Sequence, residues 1–224
     1  VKPVADGGEG TMAALIAGLG GEVIQTEVAG PLGEKVNAKY GIVQEEKLAV
    51  LEMAEAAGIT LVDKEELNPA NATTYGVGEM ILDAVKRGCR QFIVGIGGSA
   101  TTDGGVGMLQ ALGFEFLDQN GTEIQPGIQD LDKIAEIRKE KVPEELNACH
   151  FKVACDVKNP LLGPNGAVYV YGSQKGVQER EKADFDSKME HYAVRTAEFA
   201  GFDARMCEGA GAAGGLGFAF LSYL

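Results

Sequence analysis

Residues 95–105 read Gly-Ile-Gly-Gly-Ser-Ala-Thr-Thr-Asp-Gly-Gly. Few stretches of a chain gather so many groups able to hold an anion. Gly97 and Gly98 let a ligand approach the main chain. The hydroxyls of Ser99, Thr101 and Thr102, with nearby N–H groups, suit a carboxylate or a phosphate. Asp103 adds a carboxylate able to hold Mg²⁺ or take a proton. The run Gln91-Phe92-Ile93-Val94 before the loop reads as a buried strand, and Val106 to Leu112 after it has helical spacing.

Four further polar-glycine clusters recur along the chain: Asp6-Gly7-Gly8-Glu9-Gly10-Thr11, Asp156 to Leu161 with Asn159, Gly172 to Gly176 with Lys175, and Gly209 to Gly215 with Gly211. Together they supply hydroxyls, carboxylates, amides and lysines, an inventory for recognising small oxygenated acids and phosphates. No G-x-x-x-x-G-K-[ST] sequence is present, so phosphoryl transfer of P-loop type is excluded. Two stretches imitate a dinucleotide fingerprint. Gly95-x-Gly97-x-x-Ala100 follows a strand, with Asp118 about 20 residues on. Gly209-x-Gly211-x-x-Gly214 matches the glycine spacing without a preceding strand. A nicotinamide-dependent oxidoreductase using the first loop is therefore the alternative to a kinase.

The elements that must position these groups are those of a mixed α/β chain. Helices are expected at 11–19, 76–87, 106–112, 179–200 and 214–224. Strands are expected at 22–29, 35–43, 48–54, 91–96, 114–117 and 151–155. The first three strands form an antiparallel meander, and 91–96 and 151–155 should be buried central strands. Residues 1–224 form a single α/β domain, a mixed β-sheet with flanking helices. The 224 residues carry a net charge of −13, which argues against nucleic acid as partner. No apolar run is long enough to span a membrane. Cys89, Cys149, Cys155 and Cys207 form no C-x-x-C pair and read as reduced thiols of a cytoplasmic protein. The pattern leaves the oligomeric state open. The opening Val, so close to a glycine cluster, reads as a piece of a longer protein.

In order along the chain, Val4 to Thr11, Gly30-Pro31-Leu32-Gly33, Gly95 to Gly105, Ala154 to Leu161, Gln174-Lys175-Gly176 and Gly209 to Gly215 resemble the signature stretches of the bacterial glycerate kinase family. That resemblance implies phosphorylation of D-glycerate with ATP and Mg²⁺, giving 2-phosphoglycerate. It also implies that this chain is mainly a domain inserted into a flavodoxin-like domain. A fragment of such a kinase could also be a non-catalytic binding module. On this reading Asp6 and Glu9 bind Mg²⁺ or a substrate hydroxyl, or else cap the first helix. Ser99, Thr101 and Thr102 bind the glycerate carboxylate or the transferring phosphate, or cap a helix. Asp103 is the expected general base, with Asp156 as a second catalytic carboxylate. Asp156 and Asn159 end a buried strand where ligands collect, or form a turn. Lys175 neutralises a carboxylate or phosphate, or is solvated. Gly211 brings a helix start near an anion, or allows close helix packing.

Overall fold

The computed structural model describes residues 10–224, so Asp6 and Glu9 lie outside the described residues. In chain order the elements are α1 (Thr11–Leu19), β1 (Glu22–Ala29), β2 (Lys35–Val43), β3 (Leu48–Glu52), α2 (Ala54–Ala57), α3 (Tyr75–Lys86), β4 (Gln91–Gly95), α4 (Val106–Ala111), β5 (Glu115–Leu117), β6 (Glu136–Arg138), β7 (His150–Ala154), α5 (Ala167–Tyr171), α6 (Lys182–Ala200) and α7 (Leu216–Tyr223). Short 3-10 turns link several of them.

Five strands form one sheet in the order β1-β2-β3-β4-β7, and β5 and β6 pair separately. Strands β1, β2 and β3 are antiparallel neighbours. The pairings β3–β4 and β4–β7 are parallel. The sheet is thus mixed, a meander on one side and a parallel half on the other. A parallel strand must be reached by a crossover, which here is α3 between β3 and β4.

Period-two alternation explains how both faces are covered. Ala49 and Leu51 of β3, with Phe92 and Val94 of β4, join the large core. Leu48 and Val50, with Ile93, join a smaller cluster on α1 through Met12 and Ile16. Helix α3 lays Val77, Met80, Ile81, Ala84 and Val85 into the large core, at the i, i+3, i+4, i+7, i+8 spacing of an apolar stripe. Each fully buried side chain of this kind stabilises the fold by about 1.5–3 kcal/mol.

Strand β4 is central, as its apolar run requires. Strand β7 is not: among the described residues it pairs with β4 alone and forms the end of the sheet. The expectation of a second buried central strand at 151–155 is overturned. His150 and Lys152 alternate outward while Phe151, Val153 and Ala154 are half-buried. The apolar run of three, Val153-Ala154-Cys155, is satisfied by one covered face, and Phe151 stacks on Phe92 at 4.7 Å.

Candidate functional site

Parallel strands β4 and β7 end side by side, with Gly95 opposite Ala154. The residues after both ends turn outward into one cavity of about 340 Å³. Ligand crevices in α/β sheets open at such carboxyl ends. Gly97, Gly98 and Ser99 form one wall, Cys155 and Asp156 a second, and Gln174 and Lys175 a third. Ile59 and Tyr171 also line it, with Ala212 and Ala213.

The glycine loop is held from behind by main-chain bonds. Ile59 N–H donates to the Gly98 carbonyl at 2.8 Å, and Ala100 N–H to the Ala57 carbonyl at 2.9 Å. These bonds leave the N–H groups of Gly97, Gly98 and Ser99 without a protein acceptor among the described residues. Consecutive free N–H groups at an exposed glycine tip form a concavity that suits an anion. Further along the loop, Gly104 N–H donates to the Gly214 carbonyl at 3.0 Å. Gly214 has φ +65, and a Cβ there would overlap the Thr101 carbonyl, so only glycine permits this approach.

Lys175 lies across from that tip and is 1% exposed. Its Nζ donates to Ser99 Oγ at 2.6 Å and to the Thr101 carbonyl at 2.6 Å. Both acceptors are neutral, and no carboxylate among the described residues is ion-paired with it. Burial pushes its amine down to about 7, against a smaller upward pull from Asp103. The solvated lysine is therefore excluded.

Asp103 does not reach the cavity. It is fully buried, and its Oδ2 accepts from Thr74 N–H at 2.8 Å, Thr74 Oγ1 at 2.7 Å and Gly107 N–H at 3.2 Å. Its Oδ1 accepts from Gly105 N–H at 3.1 Å. Burial raises its carboxyl above the usual carboxylate range, while the Thr74 and glycine donors pull it down. Thr74 is the residue at which α3 begins, and its hydroxyl also accepts from Met108 N–H at 2.9 Å. Asp103 thus ties the starts of α3 and α4 together. A proton acceptor must lie within hydrogen-bond reach of the substrate. In this structure the Asp103 oxygens, expected to serve as a general base, are instead walled in by four donors and do not line the cavity.

The neighbouring threonines are likewise interior. Thr101 and Thr102 are fully buried, and Thr102 Oγ1 donates to the Pro69 carbonyl at 3.1 Å. Thr101 joins the site only through the carbonyl that holds Lys175. Asn159 frames the cavity without lining it. Its Oδ1 accepts from Tyr171 Oη at 2.7 Å, and its Nδ2 donates to the Asn165 carbonyl at 2.9 Å. Gly211 donates its N–H to the Asn159 carbonyl at 2.9 Å. A Cβ at Gly211 would overlap the Pro160 carbonyl, so the glycine serves close packing. Among the named site residues, the structure gathers Gly97, Gly98, Ser99, Asp156 and Lys175. It sets Thr101, Thr102, Asp103, Asn159 and Gly211 behind them.

Sequence reasoning marked Gln174 through its glycine cluster but missed Tyr171 as a cavity wall. The short helix ending at Tyr171 gave no periodic signal, although the Tyr-Gly before Ser173 to Lys175 marked its end. It also passed over Glu52, a buried carboxylate whose Oε1 accepts from Met12 N–H at 2.8 Å at the start of α1.

The donor set decides which cofactors fit. Among the described residues no three His, Cys, Asp or Glu side chains cluster as a metal cage. Among the described residues Asp156 is the one carboxylate lining the cavity, and it is exposed. One carboxylate suits Mg²⁺ only when phosphate oxygens and waters complete its shell. The dinucleotide fingerprint does not fit. A loop from Ile96 to Gly105, not a helix, follows β4, and Asp118 sits in a turn bonded to Asn120 and Thr122, lining a separate cavity. No helix among the described residues is long and apolar enough to cross a membrane.

Comparison with known proteins places the chain in a family. A model of the glycerate kinase family matches residues 1–224. The chain is 46% identical over 222 residues to the glycerate 2-kinase of Escherichia coli K12, covering 99% of this chain and 58% of that protein. It is 45% identical over 222 residues to the glycerate kinase of Halalkalibacterium halodurans, with the same two coverages. A crystal structure from Salmonella typhimurium LT2, provisionally assigned as glycerate kinase 2, superposes with a TM-score of 0.96 at 42% identity. It covers 99% of this chain and 59% of that one. The chain spans under two thirds of the length of these relatives, and it belongs to the glycerate kinase family.

Proposed function

We propose that this chain supplies the acid-binding part of a glycerate kinase that phosphorylates D-glycerate with ATP and Mg²⁺ to 2-phosphoglycerate. One observation carries the reading. Three unpartnered N–H groups at Gly97, Gly98 and Ser99 share a cavity with the Lys175 amine and, on another wall, the Asp156 carboxylate. A hydroxy acid needs this division of labour: donors for its carboxylate, an acceptor for a hydroxyl.

The loop tip and Lys175 bind the carboxylate, and Asp156 accepts from a glycerate hydroxyl. Asp156 is also the residue that would hold Mg²⁺, which neutralises phosphate charge when bound. Ser99 is oriented by Lys175, so its hydroxyl hydrogen is free to point at the ligand. Asp103 is a positioning residue, keeping the loop root rigid so that its tip keeps one shape. Ile59 and Tyr171 provide apolar walls that exclude water. Most of the catalytic advantage in phosphoryl transfer comes from positioning and charge, which such a pocket supplies for the acceptor.

Calorimetric titration of the purified chain with D-glycerate, ATP and NAD tests the reading. Binding of D-glycerate without phosphoryl transfer from ATP is expected, since the chain spans 58% of its relatives. Tight NAD binding with no response to D-glycerate would replace it with the oxidoreductase reading. ATP-dependent turnover by this chain would make it a complete kinase and not a part of one.

A further inference from the structure

Lys175 is a buried amine with a cavity in front of it and no ion pair among the described residues. Its two partners, Ser99 Oγ and the Thr101 carbonyl, are dipoles without net charge. The Asp103 carboxylate lies on its inner side, but all four of that group's donors come from Thr74, Gly105 and Gly107 and none from Lys175. Across the cavity stand Asp156, the Cys155 thiol and the Tyr171 hydroxyl. Tyr171 is committed to Asn159, and the Cys155 thiol to the Val157 carbonyl at 3.4 Å. A cation buried this way lacks the paired charge that usually accompanies it.

We infer that an anion entering the cavity draws a proton from solvent onto Lys175, so that binding and proton uptake are one event. The inference rests on the anion-binding reading of the cavity given above. The anion supplies the negative charge that the protein withholds. Without a ligand, burial leaves the amine largely neutral above pH 7. With a carboxylate in the cavity, opposite charge favours the ammonium form. Ligand affinity and Lys175 protonation must then strengthen each other reciprocally. D-glycerate would bind best below neutrality and weaken as pH rises. In the alkaline range the weakening would approach about tenfold per pH unit, the limit for one linked proton.

The test is calorimetric titration with D-glycerate at pH 6 and pH 8, each in two buffers of different ionisation enthalpy. D-glycerate is fully ionised at both pH values, so the proton cannot be its own. At pH 8 the heat should differ between buffers by an amount corresponding to roughly half to one proton taken up per ligand; at pH 6 the difference should fall toward zero. Glycerol, the neutral analogue, should show no uptake. Lys175→Met should lose the uptake together with most of the affinity. Lys175→Arg, charged throughout, should bind with little pH dependence.

Binding at pH 8 without buffer-dependent heat overturns the inference and leaves the anion site standing. Uptake that survives in Lys175→Met overturns it by assigning the proton elsewhere. Absence of any D-glycerate binding at either pH removes the anion-site reading, and the inference falls with it. The wild-type buffer comparison needs no variant, so a misfolded substitution does not rescue it.

Discussion

Asp103 and Lys175 are both buried ionisable groups from glycine-rich clusters, and they differ in how completely the protein answers them. Asp103 has four donors on two oxygens and faces no cavity. Lys175 has two neutral acceptors and lines one. A fully answered charge belongs to the architecture: nothing is left for a ligand, and removing any part disturbs two helix starts. An under-answered charge at a cavity is held in readiness for something outside the protein. Burial and residue type do not separate the two cases; the count of partners does.

The largest expected effect falls on the architectural side. Asp103→Ala leaves the Thr74, Gly105 and Gly107 donors buried and unpaired. It should lower stability by about 3–5 kcal/mol, as breaking a buried charged network does. Asp103→Asn keeps the size and one acceptor but turns an N–H₂ toward donors, so it should lie between alanine and wild type. Urea unfolding measures both. An Asn variant as stable as wild type that has lost D-glycerate binding would break the contrast, because Asp103 would then act on the ligand directly.

Lys175→Met should show the opposite profile. Affinity for D-glycerate should fall by about 10²-fold, in line with the roughly 1.5–3 kcal/mol of a hydrogen bond to a charged group. Stability should not fall at pH 7. The folded-state value of about 7 lies below the ordinary 10.5, so the unfolded chain binds more protons between those limits. Wild-type stability therefore gains up to about 1.4 kcal/mol per pH unit as pH rises through that window, and loses it as pH falls toward 7. The methionine variant lacks this slope. Thermal unfolding of both proteins at pH 7 and pH 9 reads the difference; parallel curves would mean that Lys175 is not held as a buried amine.

How much of this was legible in the sequence depends on the length of the signal. Strands β1 and β2 and helix α1 fall on their expected bounds, because strict alternation and an apolar helix ending in Gly20-Gly21 leave little choice. Helix α3 was legible from its five-residue stripe. Strand β6 and helix α5, of three and five residues, were not, since neither completes enough periods to stand out. The edge position of β7 was hidden because an apolar run records burial of side chains, not pairing of both strand edges. Within the site, the glycine clusters marked the walls of the cavity. They did not mark depth: Ser99 faces the cavity and Asp103, four residues on, is sealed. Composition describes both residues as polar members of one loop, and only the path of the chain after Ala100 separates them.

Ser99→Ala sharpens the contrast at intermediate size. It removes one acceptor from Lys175 and one hydroxyl from the ligand side. Affinity for D-glycerate should fall by about tenfold, equivalent to roughly 1.4 kcal/mol. Stability should change little, since Lys175 keeps the Thr101 carbonyl. A loss as large as that of Lys175→Met would mean that Ser99 and Lys175 act as one unit, which the double variant would reveal by its lack of further effect.

The smallest effect tests the frame of the cavity. Tyr171 lines the cavity, yet its hydroxyl donates to Asn159 Oδ1 at 2.7 Å and so is answered by the protein. By the rule drawn from Asp103, an answered group belongs to the frame. Tyr171→Phe keeps the ring that closes the wall and deletes only that bond. Asn159 retains its bond to the Asn165 carbonyl, and it is only half-buried, so water can replace the lost donor. The cost should be about 0.5–1.5 kcal/mol of stability, which lowers Tm by a few degrees in a chain of this size. D-glycerate affinity should stay within about twofold of wild type, a difference of roughly 0.4 kcal/mol. If affinity falls tenfold while stability is unchanged, the hydroxyl leaves Asn159 for the ligand on binding. Tyr171 would then join Ser99 and Lys175 on the ligand side, and counting partners in the ligand-free protein would no longer suffice to separate frame from site.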